Sequence, residues 1–250
     1  MQLTTLRYGV EGGVATLTLD RPEARNALNR AMCDDIVAAA AAARDDASVR
    51  LVLVRANGPA FCAGADLKER NGMGADAVRA RRLAAYAAYG AIESLPMPVI
   101  GVVQGPAIGS GCEIAAACDF VIATPSAAFA TPESLRGTIG ATQRLPRILG
   151  KPLAKDMMFT GRKLDAEEAR AAGLVTRIVA AGDLEAVIAD IAKRIVGAPQ
   201  EALRQAKSCI DQGVELDPRG ALALELLALE ENIAHDTWRA GMTSLGGDKG

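Results

Sequence analysis

An α/β fold is what this 250-residue sequence predicts, and three observations carry that expectation. Short apolar runs of the buried-strand type recur along the first part of the chain. Each is followed by a turn rich in Gly, Pro, Asp or Asn, and then by a stretch with helical apolar periodicity. From about Asp183 the strand signals stop, and three consecutive helical patterns close the chain. The length suits one sizeable domain with a helical appendage. We therefore divide the chain into a core over 1–190, which carries any active site, and a helical region over 191–250 that packs on the core or on a neighbouring subunit.

Taken in order, the run from Val14 to Leu19 predicts a strand, closed by Asp20-Arg21-Pro22. Asn29 is placed to cap a helix running to about Ala43, with Asp45-Asp46 at its exit. A second strand is expected from Val49 to Ala56, ending at Asn57-Gly58-Pro59. Phe61 to Leu67 reads as a strand-like approach into a corner of small residues. A long helix is expected from about Asp76 to Ser94, halted by Pro96 and Pro98. Then follow a strand over Val99 to Val103, a glycine-rich turn over Gly105 to Gly111, a helix over Cys112 to Ala117 and a strand over Phe120 to Ala123. Helices are expected again over 184–196, 200–212 and 219–236, and the tail from Leu245 is expected to fray. No internal repeat shows in the sequence, although the alternation could hide a structural one.

Composition narrows the function. Half the residues are hydrophobic, 23% are charged and the net charge is −2, so no global positive field draws the chain to nucleic acid or to an anionic membrane. The N-terminus has no apolar core like that of a signal peptide, and the alanine-rich stretch from Ile36 to Ala43 is too short to span a bilayer. The five cysteines show no CxxC spacing, which suggests neither a disulfide framework nor a zinc site and makes a reducing cytoplasm the simplest home. With His235 as the single histidine, in a C-terminal helix, Ser–His–Asp and Cys–His catalysis have no support. Cys62 and Cys112 read as small core fillers. Aromatics make up 3%, so no stacking platform for nucleic acid is expected. No metal site is expected.

Chemistry concentrates at two turns and two glutamates. Gly109-Ser110-Gly111 superficially opens a dinucleotide fingerprint, but Ile114 stands where the third glycine should be, Pro106 lies in the turn, and no early N-terminal strand carries it. A small-residue turn feeding a helix also leaves backbone N–H groups unpaired and pointing outward, which is one half of an oxyanion hole. The corner around Gly64 is the candidate for the other half; close-packed turns in an alanine-rich core are the alternative for both. Glu113 falls on the first turn of the helix after the glycines, and Glu133 follows Thr131-Pro132. Either could be a helix-dipole or capping partner. If they converge, they can deliver and remove protons around one water, with like charge separating acid from base.

These residues resemble the crotonase superfamily, the enoyl-CoA hydratase/isomerase family. Arg21-Pro22-Glu23-Ala24-Arg25-Asn26-Ala27-Leu28 is similar to its RPxxxNAL element, and Phe61-Cys62-Ala63-Gly64-Ala65-Asp66-Leu67 to its FxAGxDL element. Gly105 to Glu113 with Cys118-Asp119, then Pro132-Glu133, Gly137-Thr138, Thr142-Gln143-Arg144-Leu145 and Ala169 to Val175, continue the family's order. The resemblance implies a spiral of ββα units, a C-terminal helical oligomerisation region, and a homotrimer or a dimer of trimers. It implies an acyl-CoA thioester substrate, as in fatty acid metabolism, and no cofactor beyond the coenzyme A of that substrate. The hole donors then fall on Ala65 and Ser110 and the acid–base pair on Glu113 and Glu133. Ala24, Arg25, Ala27, Ala63, Asp66, Leu67 and Gly109 fall along the substrate path. Arg79-Ala80-Arg81-Arg82 reads as a solvated helix face, with a coenzyme A phosphate as the alternative. The implied activity is hydration of a 2-enoyl-CoA; another acyl-CoA isomerase or lyase, or a non-catalytic scaffold or RNA-binding homologue, are the alternatives. Two departures stand out: Ser110 replaces the middle glycine of the family's triple-glycine turn, and the segment from Gly137 to Leu145 is about three residues shorter than the family's usual loop.

Overall fold

The computed structural model describes residues 2–234 and 238–239. His235 and the tail from Leu245 lie outside the described residues.

The chain opens with a hairpin of β1 (Leu6–Glu11) and β2 (Val14–Leu19), turned on Gly12 and Gly13, both at positive φ as a two-residue hairpin demands. The expectation of no strand ahead of β2 is thus corrected. Helix α1 (Arg30–Asp45) starts where Asn29 accepts the Met32 N–H, and leads to β3 (Leu51–Ala56). A short helix α2 (Leu67–Arg70) precedes the long α3 (Ala75–Glu93). Next come β4 (Val99–Val103), β5 (Pro106–Ile108), α4 (Ser110–Ala116), β6 (Phe120–Ala123) and β7 (Ala128–Ala130). Helices α5 (Arg144–Leu149) and α6 (Lys151–Thr160), strand β8 (Leu164–Asp165), helix α7 (Ala166–Ala171) and strand β9 (Arg177–Ile178) complete the core. The helices α8 (Leu184–Gly197), α9 (Gln200–Gly213) and α10 (Pro218–Ala234) follow.

Two sheets result. The larger has the order β1-β2-β3-β4-β6-β9 and is parallel beyond the β1–β2 hairpin; the smaller has the order β5-β7-β8. Strands β4 and β5, then α4, then β6 and β7 are successive turns of a strand–strand–helix spiral, each turn giving one strand to each sheet. Strand β4 is buried along its whole length because helices cover both faces of the large sheet, hence its unbroken apolar run. One face packs on α1 and α3 through small residues such as Ala39, Ala43, Ala85 and Ala88. The other face, with Leu51, Leu53, Ile100 and Ile122, is covered by Leu184, Ile188 and Ile191 of α8. Residue 190 therefore lies inside a helix that packs on the core. Helices α9 and α10 pair with each other and bury no residue completely.

Candidate active site

The cavity sits where two chain corners meet. Phe61 to Asp66 is not a strand, as its pattern had suggested, but a corner joined to its neighbours by single bridges, Cys62 to Ala107 and Leu28 to Ala65. The N–H of Ala63 is taken by the Arg25 carbonyl (3.0 Å) and that of Asp66 by Leu28 (2.9 Å), whereas the Ala65 N–H meets no acceptor among the described residues. Gly64 adopts φ +96°, and a Cβ there would press on the Ile108 carbonyl at 3.0 Å. In the second corner Gly109 (φ +54°) delivers Ser110 to the first position of α4, where helix geometry leaves its N–H without a partner. A Cβ on Gly111 would collide with the Cys62 carbonyl, so the two backbones are in contact. Ala65 and Ser110 therefore border one cavity of about 540 Å³, a size suited to a small-molecule ligand.

Both glutamates line that cavity, in contrasting surroundings. Glu113 is only 5% exposed. Its Oε1 accepts the Ala141 N–H (2.6 Å) and its Oε2 the Arg144 guanidinium (3.1 Å), so it is no mere helix-dipole partner. Arg144 is itself braced by both oxygens of Glu93 (3.0 and 2.6 Å) and lies over the Tyr89 ring. Ala141 reaches Glu113 from a left-handed backbone (φ +55°), which a residue with a Cβ rarely adopts. Glu133 precedes a single 3₁₀ turn and makes no capping bond. Its Oε1 lies against the α-carbon of Gly109, where a Cβ would strike it, and its buried Oε2 has no hydrogen-bond partner. Burial pushes the Glu133 carboxyl above the usual carboxylate range. The Glu113 charge adds to that push, while the backbone N–H of Glu133, Arg82 and Arg136 oppose it. One carboxylate is thus ion-paired, and the other holds its proton to higher pH than a free carboxyl, an asymmetry that can separate a base from an acid.

Of the residues placed on the substrate path, Ala63, Leu67 and Gly109 line the cavity; Ala24, Arg25, Ala27 and Asp66 do not. Arg25 and Asp66 instead support the corners, Arg25 through its carbonyl, which takes the Ala63 N–H. Arg25 and Asn26 are left-handed (φ 50° and 53°), and the buried Asn26 side chain donates to the carbonyls of Asn57 (2.8 Å) and Ala60 (2.9 Å). Asp66 caps α2 through the Lys68 and Glu69 N–H groups and pairs with Arg21 at 3.1 Å. The basic run on α3 is not a uniform solvated face. Arg79 is exposed beside Asp76, but Arg81 is buried, paired with Glu69 at 2.7 Å and donating to the Leu28 carbonyl. Arg82 reaches the shortened loop, donating to the Ile139 carbonyl and to Thr138 Oγ1. Sequence reasoning gave no role to Tyr86, Tyr89 or Arg144. The signal for the first two was present: Arg82, Ala85, Tyr86 and Tyr89 stand at i, i+3, i+4 and i+7, one helix face, and that face walls the cavity. Cys62 and Cys112 are fully buried, and burial pushes the Cys62 thiol up to about 11, as befits packing residues.

The sequence profile described as enoyl-CoA hydratase/isomerase matches residues 9–246. A putative enoyl-CoA hydratase/isomerase of Bacillus subtilis is 38% identical over 233 residues, covering 92% of this chain and 90% of that protein. A crotonyl-CoA hydratase of Syntrophomonas wolfei is 35% identical over 238 residues, covering 94% and 92%. The crystal structure of an enoyl-CoA hydratase from Bacillus anthracis superposes with a TM-score of 0.89 at 35% identity, covering 92% of each chain.

Proposed function

Because this chain belongs to the enoyl-CoA hydratase/isomerase family of the crotonase superfamily, we propose that it adds water reversibly across the double bond of a 2-enoyl-CoA thioester. The observation that carries this reading is the pair of unlike carboxylates, Glu113 ion-paired and Glu133 titrating above the usual carboxylate range, on one cavity with two unpaired backbone donors. The thioester oxygen accepts from the N–H groups of Ala65 and Ser110. As the water oxygen bonds to C3, the charge moves onto that oxygen as an enolate, and each donor stabilises it by about 3–4 kcal/mol. The water's proton passes to Glu113, and the proton on Glu133 passes to C2. Proton exchange with solvent returns both carboxyls to their starting states. The only coenzyme involved is the CoA of the substrate.

One observation favours a second reading. Both Glu113 oxygens already accept hydrogen bonds, which leaves Glu133 as the mobile proton carrier and suits a shift of the double bond from a 3-enoyl to a 2-enoyl thioester. Following the conjugated thioester absorbance separates the two. A hydratase consumes crotonyl-CoA, and Glu113→Gln and Glu133→Gln each nearly abolish the loss. An isomerase acts on a 3-enoyl-CoA, and its rate survives Glu113→Gln. A scaffold or an RNA-binding homologue does neither.

We place the chain in the cytoplasm, where its five cysteines stay reduced. No helix of the described residues is long and apolar enough to cross a membrane. We also propose a homotrimer or a dimer of trimers, supported by the exposed Ile210, Val214, Leu222 and Leu226 on the α9–α10 pair.

A further inference from the structure

Two guanidinium groups on the cavity wall, those of Arg82 and Arg136, make no hydrogen bond or ion pair with a carboxylate among the described residues. Arg82 donates only to neutral oxygens, the Ile139 carbonyl and Thr138 Oγ1, which leaves donors of its guanidinium fork unused. Arg136, on the turn just after Glu133, makes no side-chain hydrogen bond or ion pair among the described residues. Both line the cavity, and both lie near enough to Glu133 to act on its charge. A Cβ built on Gly140 would touch Arg82 Nη1 and Glu133 Cγ, each at 3.3 Å, so the guanidinium stands beside the proposed acid. Thr138 and Ile139 lie close enough to α3 for Arg82 to donate to both.

An alkyl chain laid against these two groups would desolvate cations and return nothing to them. An anion would return charge-assisted hydrogen bonds in a planar, two-point geometry. We propose that the acyl group is that of a dicarboxylic acid, held by CoA at one end and by Arg82 and Arg136 at its free carboxylate. This rests on the 2-enoyl-CoA reading above and narrows it. Arg82 thereby has two roles, fixing the loop and reading the far end of the substrate.

The test compares the CoA thioesters of five- and six-carbon 2-enedioic acids with their terminal methyl esters, which have nearly the same shape and no charge. For the native chain, kcat/KM is expected to favour the free carboxylate by about tenfold or more, and the preference should shrink as salt rises. Arg136→Gln and Arg82→Gln should each bring the ratio toward one. Both thioesters are turned over by the same folded fraction, so partial misfolding cannot imitate this. A native ratio near one overturns the proposal, as does a preference that both variants retain. If neither thioester is hydrated, it is the hydratase reading that fails. The specificity is then read by calorimetry with the saturated dicarboxylic thioester and its methyl ester. Tighter binding of the acid, lost in Arg136→Gln, upholds the inference, and equal affinity ends it.

Discussion

Along residues 63–66 and 105–111, the cavity wall is backbone: N–H groups aimed by single bridges and by glycines that exclude any Cβ. Along residues 133–145 it is side chain: Glu133 against Gly109, Glu113 on Arg144, Arg144 on Glu93, Arg82 on the loop. The first wall should tolerate changes of side-chain chemistry and resist changes of backbone shape. The second should tolerate backbone relaxation and resist changes of charge. Ser110 illustrates the first case: in the proposed chemistry its N–H is the donor, and an added hydroxyl leaves that N–H in place.

This contrast can be broken by experiment. The largest effect is expected at Glu133→Gln, a loss of about 10³ in kcat for want of the general acid; a loss under tenfold would remove Glu133 from the chemistry. Next, Ser110→Pro deletes one donor at a helix position where proline is at home, and should cost about 10²–10³ in kcat. Ser110→Gly should stay within about threefold, and a large loss there would assign the work to the hydroxyl instead of the backbone. On the other wall, Arg144→Gln should lower kcat by about ten- to a hundredfold while KM changes little, with Arg144→Lys recovering part of it. Equal losses in Gln and Lys would reduce Arg144 to a packing role.

The Glu133 carboxyl titrates higher in the folded chain than in the unfolded one. As pH rises above the ordinary carboxyl value, the unfolded chain loses this proton first, so Glu133 costs stability progressively until pH passes its raised folded value. Glu133→Gln should therefore raise Tm at neutral and alkaline pH, and the gain should vanish in acid. The smallest effect is expected at Ala141→Gly, which relieves a left-handed alanine. It should be neutral to about 1 kcal/mol stabilising, with turnover within about twofold.

Much of the fold was legible because its signals are local. Asn29 announces its helix, and the uninterrupted run of β4 announces a doubly covered strand. Strand β1 was not legible, because as an edge strand it buries only its first residue and shows no alternation. The corner at Phe61 passed for a strand because its pairing is made by residues distant in sequence, such as Leu28 and Ala107. At the site, the turns pointed to Ala65, Ser110, Glu113 and Glu133, which border one cavity, but the partners that give each glutamate its character did not show. Arg144 reaches Glu113 across a loop whose path only the fold decides. Asp66 was legible in a second way: with Glu69 three residues on it is a helix-start signature, and its carboxylate does cap α2.

The contact between Gly109 and Glu133 Oε1 has a practical use. One methyl group at residue 109 has no room while that carboxylate holds its place. Gly109→Ala should thus push the acid aside, at the cost of strain in a turn at φ +54° that glycine adopts easily, and leave the Ala65 donor and the cavity walls from α2 and α3 in position. A chain so altered would keep its grip on a thioester it no longer transforms, an inert twin in which unreacted substrate could be held long enough to be seen.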